Sequence, residues 1–154
     1  MSAYRRILVA VDGSPASNKG LREAIRLAKA ERARLFILHV VDEYPAYAVL
    51  AEMAPASGVD LVTGLREGGA RVLAKAQAVA AKQKVRGKGV LREMVGGPAA
   101  DKIVREARKQ RADLIVLGTH GRRGVRRLVL GSDAEQVVRT SHVPVLLVKG
   151  AGAR

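Results

Sequence analysis

Short apolar runs alternate with helical patterns along nearly the whole chain, and this alternation limits the possible folds more than any other feature. Continuous apolar runs of strand length occupy residues 6–11, 35–41, 114–117 and 143–148, and a weaker, more charged run lies at 88–95. Uninterrupted Val, Ile and Leu are typical of parallel strands that are covered on both faces. The intervening segments can each hold a helix, which predicts right-handed strand–helix–strand units.

The fold that this pattern predicts is α/β. It is a single doubly wound five-stranded parallel sheet with helices on both faces, Rossmann-like, in the strand order 3-2-1-4-5. The charged run at 88–95 suits an edge of that sheet. With 154 residues the chain has the length of one domain. We expect this domain to cover residues 1–149 and residues 150–154 to form a flexible tail.

Several signals mark where helices begin. Ser14 can cap a first helix that has Pro15 in its first position. An apolar stripe over residues 62–80 predicts a second helix, weakened in its middle by two adjacent glycines, and Pro98 opens a third. Residues 42–58 contain two prolines and are expected to form a long connection outside the regular elements.

Composition excludes several classes of site. The chain has no cysteine, which excludes disulfides, thiolate zinc sites and thiol nucleophiles. We expect a cytoplasmic protein with no membrane partner, because no signal peptide pattern and no window of about 18 apolar residues is present. The net charge of +14 attracts anions. Since no aromatic residues alternate with the basic ones, it favours only non-specific contact with nucleic acid.

Four small residues have the spacing of a phosphate site. Gly118 and Gly121 follow the fourth strand, and Gly131-Ser132 stands nine residues further on at a helix start. Glycines let backbone N–H groups approach phosphate oxygens, and a helix start adds the positive end of its dipole. Arg122 adds charge beside them. The Walker loop and the G-x-G-x-x-G loop are both absent, which excludes those two nucleotide-binding classes.

The chain resembles the universal stress proteins of the ATP-binding kind. That family's pattern is G-2X-G-9X-G-S/T, which the four small residues reproduce. The segments 7–14, 38–41 and 143–148 also resemble the family, and the likeness covers about residues 4–149. It implies a stress-response protein that binds ATP, with Mg²⁺ as an accompanying ion, and a homodimer formed through the last strand, Val145 to Val148.

The resemblance also implies roles for individual residues on the base side of the site. Asp12 contacts the ribose or the phosphates and helps to hold Mg²⁺. The backbone of Val40 meets the adenine, while Ala10 and Val11 line the base pocket.

On the phosphate side, the resemblance implies that Gly118 borders the ribose and that Gly121, Gly131 and Ser132 hold the phosphates. Asp133 departs from the family, where a neutral residue is more usual. A carboxylate at a helix start favours the dipole but repels phosphate, so we expect Asp133 to point away or to act through Mg²⁺.

Structural explanations remain open for several of these residues. Ser132 begins a Ser-x-x-Glu sequence, which is a common capping box with Glu135. Gly118 and Gly121 suit a turn after a strand. Asp12 can hydrogen-bond its own turn at Ser14.

The three histidines are far apart in sequence, and no metal-ligand spacing is present. We expect His39, inside an apolar strand, to be a satisfied core histidine and His142 to lie at the surface. His120 is the one histidine in the candidate loop, where it either touches phosphate or faces solvent. A nucleophilic hydrolase is excluded because no G-x-S-x-G elbow accompanies Ser132.

The sequence therefore predicts an ATP-binding stress-response regulatory protein that acts as a nucleotide-dependent switch, with at most slow ATP hydrolysis. Two alternatives stay open. One keeps the fold as a dimeric scaffold that binds AMP, ADP, a cyclic nucleotide or no nucleotide. The other is a basic protein whose main partner is a polyanion.

Overall fold

The computed structural model describes residues 2–52, 55–120 and 130–150. None of the helices in this part of the chain is long and apolar enough to cross a bilayer. In chain order, the elements are β1 (Arg6–Ala10), α1 (Pro15–Glu31), β2 (Arg34–Asp42), α2 (Tyr44–Glu52), α3 (Pro55–Lys82), β3 (Gly87–Met94), α4 (Ala99–Lys109), β4 (Leu114–Gly118), α5 (Ser132–Thr140) and β5 (Val145–Val148).

The five strands form one sheet in the order β3-β2-β1-β4-β5, and every neighbouring pair is parallel. This confirms the predicted architecture, including the edge position of the charged strand β3. The chain passes outward from β1 through β2 to β3 and then crosses back to β4. The strand order therefore reverses at the boundary between β1 and β4, which is where doubly wound sheets bind ligands.

Buried residues form two clusters, one on each face of the sheet. Ile7 and Val9 of β1 belong to the cluster covered by α1 and α3, whereas Leu8 belongs to the cluster covered by α4 and α5. All three are 0% exposed. Burying a side chain of this size contributes roughly 1.5–3 kcal/mol. This burial on both faces is the reason that the strands are apolar without interruption.

Two helices begin where the sequence predicts. Ser14 is the N-cap of α1, and its Oγ accepts a hydrogen bond from Ser17 N at 3.2 Å. Pro15 follows as the first helical residue, where its missing N–H costs nothing. The helix predicted after Pro98 is α4.

The segment at 42–58 differs from the expected long connection. Tyr44–Glu52 form α2, and α3 begins at Pro55. Asp42 Oδ1 accepts a hydrogen bond from Tyr44 N at 3.0 Å, as a residue before a helix often does. The expectation was wrong because proline is tolerated in the first turn of a helix, so it marks a helix start as readily as a loop.

The helix α3 continues through Gly68-Gly69, and Gly69 packs directly against side chains of the sheet. A Cβ on Gly69 would come within 2.5 Å of Val41 Cγ2 and within 3.1 Å of Leu91 Cδ1. Glycine at this position therefore lets α3 approach the sheet more closely than any other residue would allow.

Candidate functional site

The segments predicted to bind a ligand meet at the carboxyl edge of the sheet, where β1 and β4 lie side by side. The loop after β1 carries Asp12 and Ser14, and the chain after β4 continues into Thr119 and His120. Ser14 Oγ joins the two segments, since it lies 3.4 Å from the backbone oxygen of His120. The helices that follow cover opposite faces of the sheet, and this is the position of the crevice in which doubly wound sheets bind ligands.

The predicted base side lies at the ends of β1 and β2. Ala10 and Val40 are half-buried, and both pack against the cluster beneath α4 and α5. Val11 is 5% exposed, and its backbone N donates to Leu38 O at 2.8 Å. Ala10 and Val40 therefore offer a small apolar surface on this face of the sheet, whereas the Val11 side chain packs into the cluster beneath α1 and α3.

The turn at Asp12 is fixed by two hydrogen bonds. Asp12 Oδ1 accepts from Ser14 N at 2.8 Å, and Asp12 N donates to Ser17 Oγ at 2.9 Å. Gly13 between them has a φ of +81°, which favours glycine. The local turn that the sequence left as an alternative is therefore present. It holds the Asp12 carboxylate beside the N-terminus of α1.

Gly118 has a packing role that the sequence did not reveal. A Cβ at this position would lie 2.6 Å from the carbonyl carbon of Ala16 and 2.7 Å from Ser17 N. Gly20 faces it from α1, and a Cβ there would lie 3.3 Å from Gly118 N. The two glycines let the backbone of α1 contact the end of β4. Gly118 therefore sets the position of α1, and through it the turn at Asp12.

The start of α5 differs from the expected capping box. Gly131 is the N-cap, Ser132 is already the first helical residue, and no side chain in the described part of the chain caps α5. The N–H of Gly131 donates to Thr119 O at 2.9 Å, and a Cβ on Gly131 would lie 3.1 Å from that oxygen. The capping-box prediction for Ser132 and Glu135 was wrong because the helix begins one residue earlier than that motif requires.

Asp133 serves a different helix. Its Oδ1 accepts a hydrogen bond from Ala100 N at 3.2 Å, at the start of α4. Pro98, the N-cap of α4, supplies no side-chain hydrogen bond of its own. The carboxylate that departs from the family pattern is therefore directed to a neighbouring helix start, where negative charge is stabilising.

The sequence matches the family model for the universal stress protein family over residues 3–149. The chain belongs to this family. The universal stress protein MJ0531 of Methanocaldococcus jannaschii is 37% identical over 147 residues, which cover 95% of this chain and 82% of the relative.

Solved structures of the family share the fold. A universal stress protein from Burkholderia pseudomallei is 36% identical with a TM-score of 0.75, and the match covers 96% of this chain and 98% of the other. Another universal stress protein, solved in complex with cAMP, is 27% identical with a TM-score of 0.67, and its match covers 97% and 100%.

Two histidines of this universal stress protein contact residues of the candidate site. The sequence predicted the environment of only one of them. His39 is 8% exposed, and its Nδ1 lies 2.7 Å from Val11 O, so the prediction of a satisfied core histidine is confirmed. The same contact fixes the Val11 carbonyl at the crevice. His120 Nδ1 lies 3.0 Å from Thr119 Oγ1, while its Nε2 is buried without a partner among the described residues.

Part of the predicted site lies outside the described residues. Gly121 and Arg122 are in this group, together with the arginines that follow them. The structure thus brings Asp12, Gly118 and Gly131 to one edge of the universal stress protein sheet, with Thr119 as the residue that sequence analysis missed. Its only sequence signal was its position directly after Gly118.

On the face of the sheet covered by α4, that helix is tied to β3 by a partly buried ion pair. Arg92 Nε lies 2.7 Å from Glu106 Oε2, and Gln110 Nε2 donates to Glu106 Oε1 at 2.6 Å. Burial raises the pKa of Glu106, but the hydrogen bonds from Arg92 and Gln110 outweigh it and hold that pKa below its usual value. The Glu106 carboxylate is therefore stabilised in its charged form.

Proposed function

We propose that this universal stress protein binds an adenine nucleotide at the carboxyl edge of its sheet, with ATP as the first candidate. The observation that carries the proposal is the start of α5, which no described side chain caps and which Gly131 ties to Thr119. A helix N-terminus left open in this way offers amide donors and positive partial charge to a phosphate. The bound nucleotide would act as the switch of a stress-response regulatory protein.

In this proposal the phosphates lie against α5. Ser132 is exposed in the first turn, and its hydroxyl does not cap the helix. Asp133 is directed to α4, which reduces its repulsion of a bound phosphate. Gly121 and Arg122, outside the described residues, would complete this side.

The base and the ribose would lie at the ends of β1 and β2. The half-buried Ala10 and Val40 offer apolar surface to an adenine ring, and the Val11 backbone lies beside them, held by its hydrogen bond to Leu38 O. Asp12 would contact the ribose or the phosphates, with its carboxylate oriented by the Ser14 amide. Gly118 would border the ribose.

One solved relative supports the ligand class and suggests a second candidate. The universal stress protein in complex with cAMP is 27% identical to this chain, and the match covers 97% of it. That relative makes an adenine nucleotide a reasonable class here. It also makes a cyclic or monophosphate nucleotide the alternative to ATP.

We expect Mg²⁺ to be held chiefly through the nucleotide. The described residues contain no group of three or more His, Asp or Glu side chains that could hold a metal. Asp12 would supply one oxygen, and phosphate oxygens and waters would supply the rest. Hydrolysis should be slow, because positioning of phosphate without an assigned general base gives little acceleration.

The remaining parts of the proposal concern assembly and location. All four residues of β5, Val145–Val148, are half-buried at an edge of the sheet. An edge strand presents unpaired backbone groups that a second copy can pair with, so we expect a homodimer through β5. We expect the protein to act in the cytoplasm.

Calorimetric titration of nucleotide-free protein with ATP and Mg²⁺ tests the proposed ligand. Gly131→Val should weaken binding by about tenfold or more, since a side chain there displaces the start of α5 from Thr119. Gly64→Val is the matched control, because a Cβ on Gly64 meets nothing within 4 Å.

Three results of that titration would contradict the proposal in different ways. If the wild type binds no nucleotide, the proposed class of ligand is wrong. If Gly131→Val and Gly64→Val bind ATP equally well, the nucleotide does not bind at the assigned site. Tighter binding of AMP or cAMP than of ATP replaces the first candidate by the second.

A further inference from the structure

The amino edge of the sheet, opposite the nucleotide site, carries a cleft of about 660 Å³. Seven cationic side chains line it, and none of its lining residues is acidic. A cavity of this size is typical of small-ligand sites.

Strand register explains how three of the cations come together. Arg6 and Arg34 begin β1 and β2 and are direct partners in the parallel ladder. On the next strand Lys88 pairs with Phe36, two residues after Arg34. Since side chains alternate along a strand, these three cations project to the same face. Like charges held this close destabilise a sheet unless an anion neutralises them.

In the described part of the chain, no carboxylate neutralises the cations of the cleft. In the described residues, none of the seven lining cations forms an ion pair, and Arg6 Nε is buried without a hydrogen bond. Two carboxylates lie at the same edge, but backbone amides engage them. Glu31 accepts from Ala3 N, and Asp113 accepts from the amides of Arg5 and Arg6.

Helix ends account for only part of this charge. Lys29, Arg32 and Lys84 lie at the C-terminal ends of α1 and α3, where cations stabilise the dipole. The cations contributed by the strands have no such explanation. A ligand with several negative charges would neutralise the cations at the helix ends and those on the strands together.

We propose that this cleft binds a linear polyphosphate chain. Four of its cations are arginines, whose planar guanidinium groups match phosphate oxygens in pairs. A second cavity of about 400 Å³ adjoins the first and shares Lys84 and Arg86 with it, so the basic surface is elongated.

A chain of phosphates suits the cleft better than a nucleic acid does. Phe36 is the lining aromatic residue, and it is only 4% exposed beneath the Arg6 guanidinium, which lies 5.4 Å from the ring centre. No aromatic face in the lining is open for a base to stack on. The lining also offers no carboxylate that could accept from a base or a sugar hydroxyl.

Titration with sodium tripolyphosphate, in calorimetry and in thermal shift, tests the proposal. Arg34→Gln with Arg86→Gln should weaken binding by about tenfold or more, since two phosphate contacts are lost. Arg22→Gln with Arg105→Gln removes the same charge from exposed positions outside the cleft and should change affinity less than about twofold. Arg34→Lys with Arg86→Lys should fall between them.

Four outcomes would overturn the proposal. Tripolyphosphate fails to bind the wild-type protein, or both glutamine pairs weaken its binding equally, so that only net charge matters. Gly131→Val abolishes its binding while the Arg34 and Arg86 variant does not, so that the ligand occupies the carboxyl edge. A single-stranded RNA of equal charge binds more tightly through the same two arginines.

Discussion

The carboxyl and amino edges of this sheet both present groups that can interact with anions, but the groups are of different kinds. At the carboxyl edge the helix start at Gly131 offers backbone amides. At the amino edge the groups available are side-chain cations such as Arg34 and Arg86. Helix polarity explains the difference, because in a doubly wound sheet the helices begin at the carboxyl edge and end at the amino edge. The amino edge must therefore overcome negative helix ends with side-chain charge.

This comparison shows that net charge does not locate an anion site. The value of +14 describes the whole chain. The proposed nucleotide site depends mainly on backbone geometry, so mutations that alter backbone contacts should affect it most. The amino-edge cleft depends on side-chain charge, so it should respond to charge-neutralising substitutions and to salt.

The largest expected effect comes from Gly118→Val. A Cβ at Gly118 would lie 2.6 Å from the carbonyl carbon of Ala16, so α1 must shift or β4 must deform. We expect a loss of about 3 kcal/mol in the free energy of unfolding, the upper part of the range for overpacking. ATP binding should be lost in the folded fraction, while tripolyphosphate binding at the amino edge persists. Urea denaturation and calorimetry measure both.

Gly64→Val serves as the control for the Gly118 variant, since it adds the same side chain in open space. If Gly118→Val is as stable as this control and still binds ATP, the packing role assigned to Gly118 is wrong.

A smaller effect is expected from Glu106→Gln, which removes a charge while keeping the shape. Glu106 holds both Arg92 and Gln110, and Gln110 lines the amino-edge cleft. The variant should lose about 2 kcal/mol of stability at pH 7, the usual size for hydrogen bonds to a charged group. It should affect tripolyphosphate binding more than ATP binding.

The pH dependence of this variant has a definite sign. Because the folded pKa of Glu106 is lowered, its stabilisation is present above the unfolded pKa and is lost as the pH falls through the folded value. Denaturation at a series of pH values should therefore show the wild type and Glu106→Gln converging in acid. A difference that stays constant with pH would show that the Glu106 charge is not responsible.

The smallest effect is expected from Asp133→Ala at the carboxyl edge. The Ala100 amide loses its acceptor, which should cost about 1 kcal/mol, as loss of a helix cap does. ATP affinity should stay the same or rise, because the proposed phosphate site loses a nearby negative charge. Asp133→Asn, which keeps an acceptor, should restore most of the stability. A marked fall in ATP affinity in both variants would instead assign Asp133 to the ligand.

Much of the fold could be predicted because its signals are local. The apolar strands, the Ser14 cap and the proline at the start of α4 depend on neighbouring residues and on two-sided burial. The helix α2 was missed because its first-turn proline, Pro45, resembles a break until Asp42 is seen to accept from the Tyr44 amide. Local sequence does not distinguish these two uses of proline.

The sequence by itself determined the sheet, all of its helices except α2, and the glycine spacing that the candidate nucleotide site depends on. Only the tertiary structure decided that Gly131 rather than Ser132 caps α5 and that Gly118 is required by α1. Only the strand register placed Arg6 opposite Arg34. The physical reason is that burial patterns and turn preferences act over a few residues, whereas contacts between α1 and β4, or among cations from distant segments, exist only once the chain has folded.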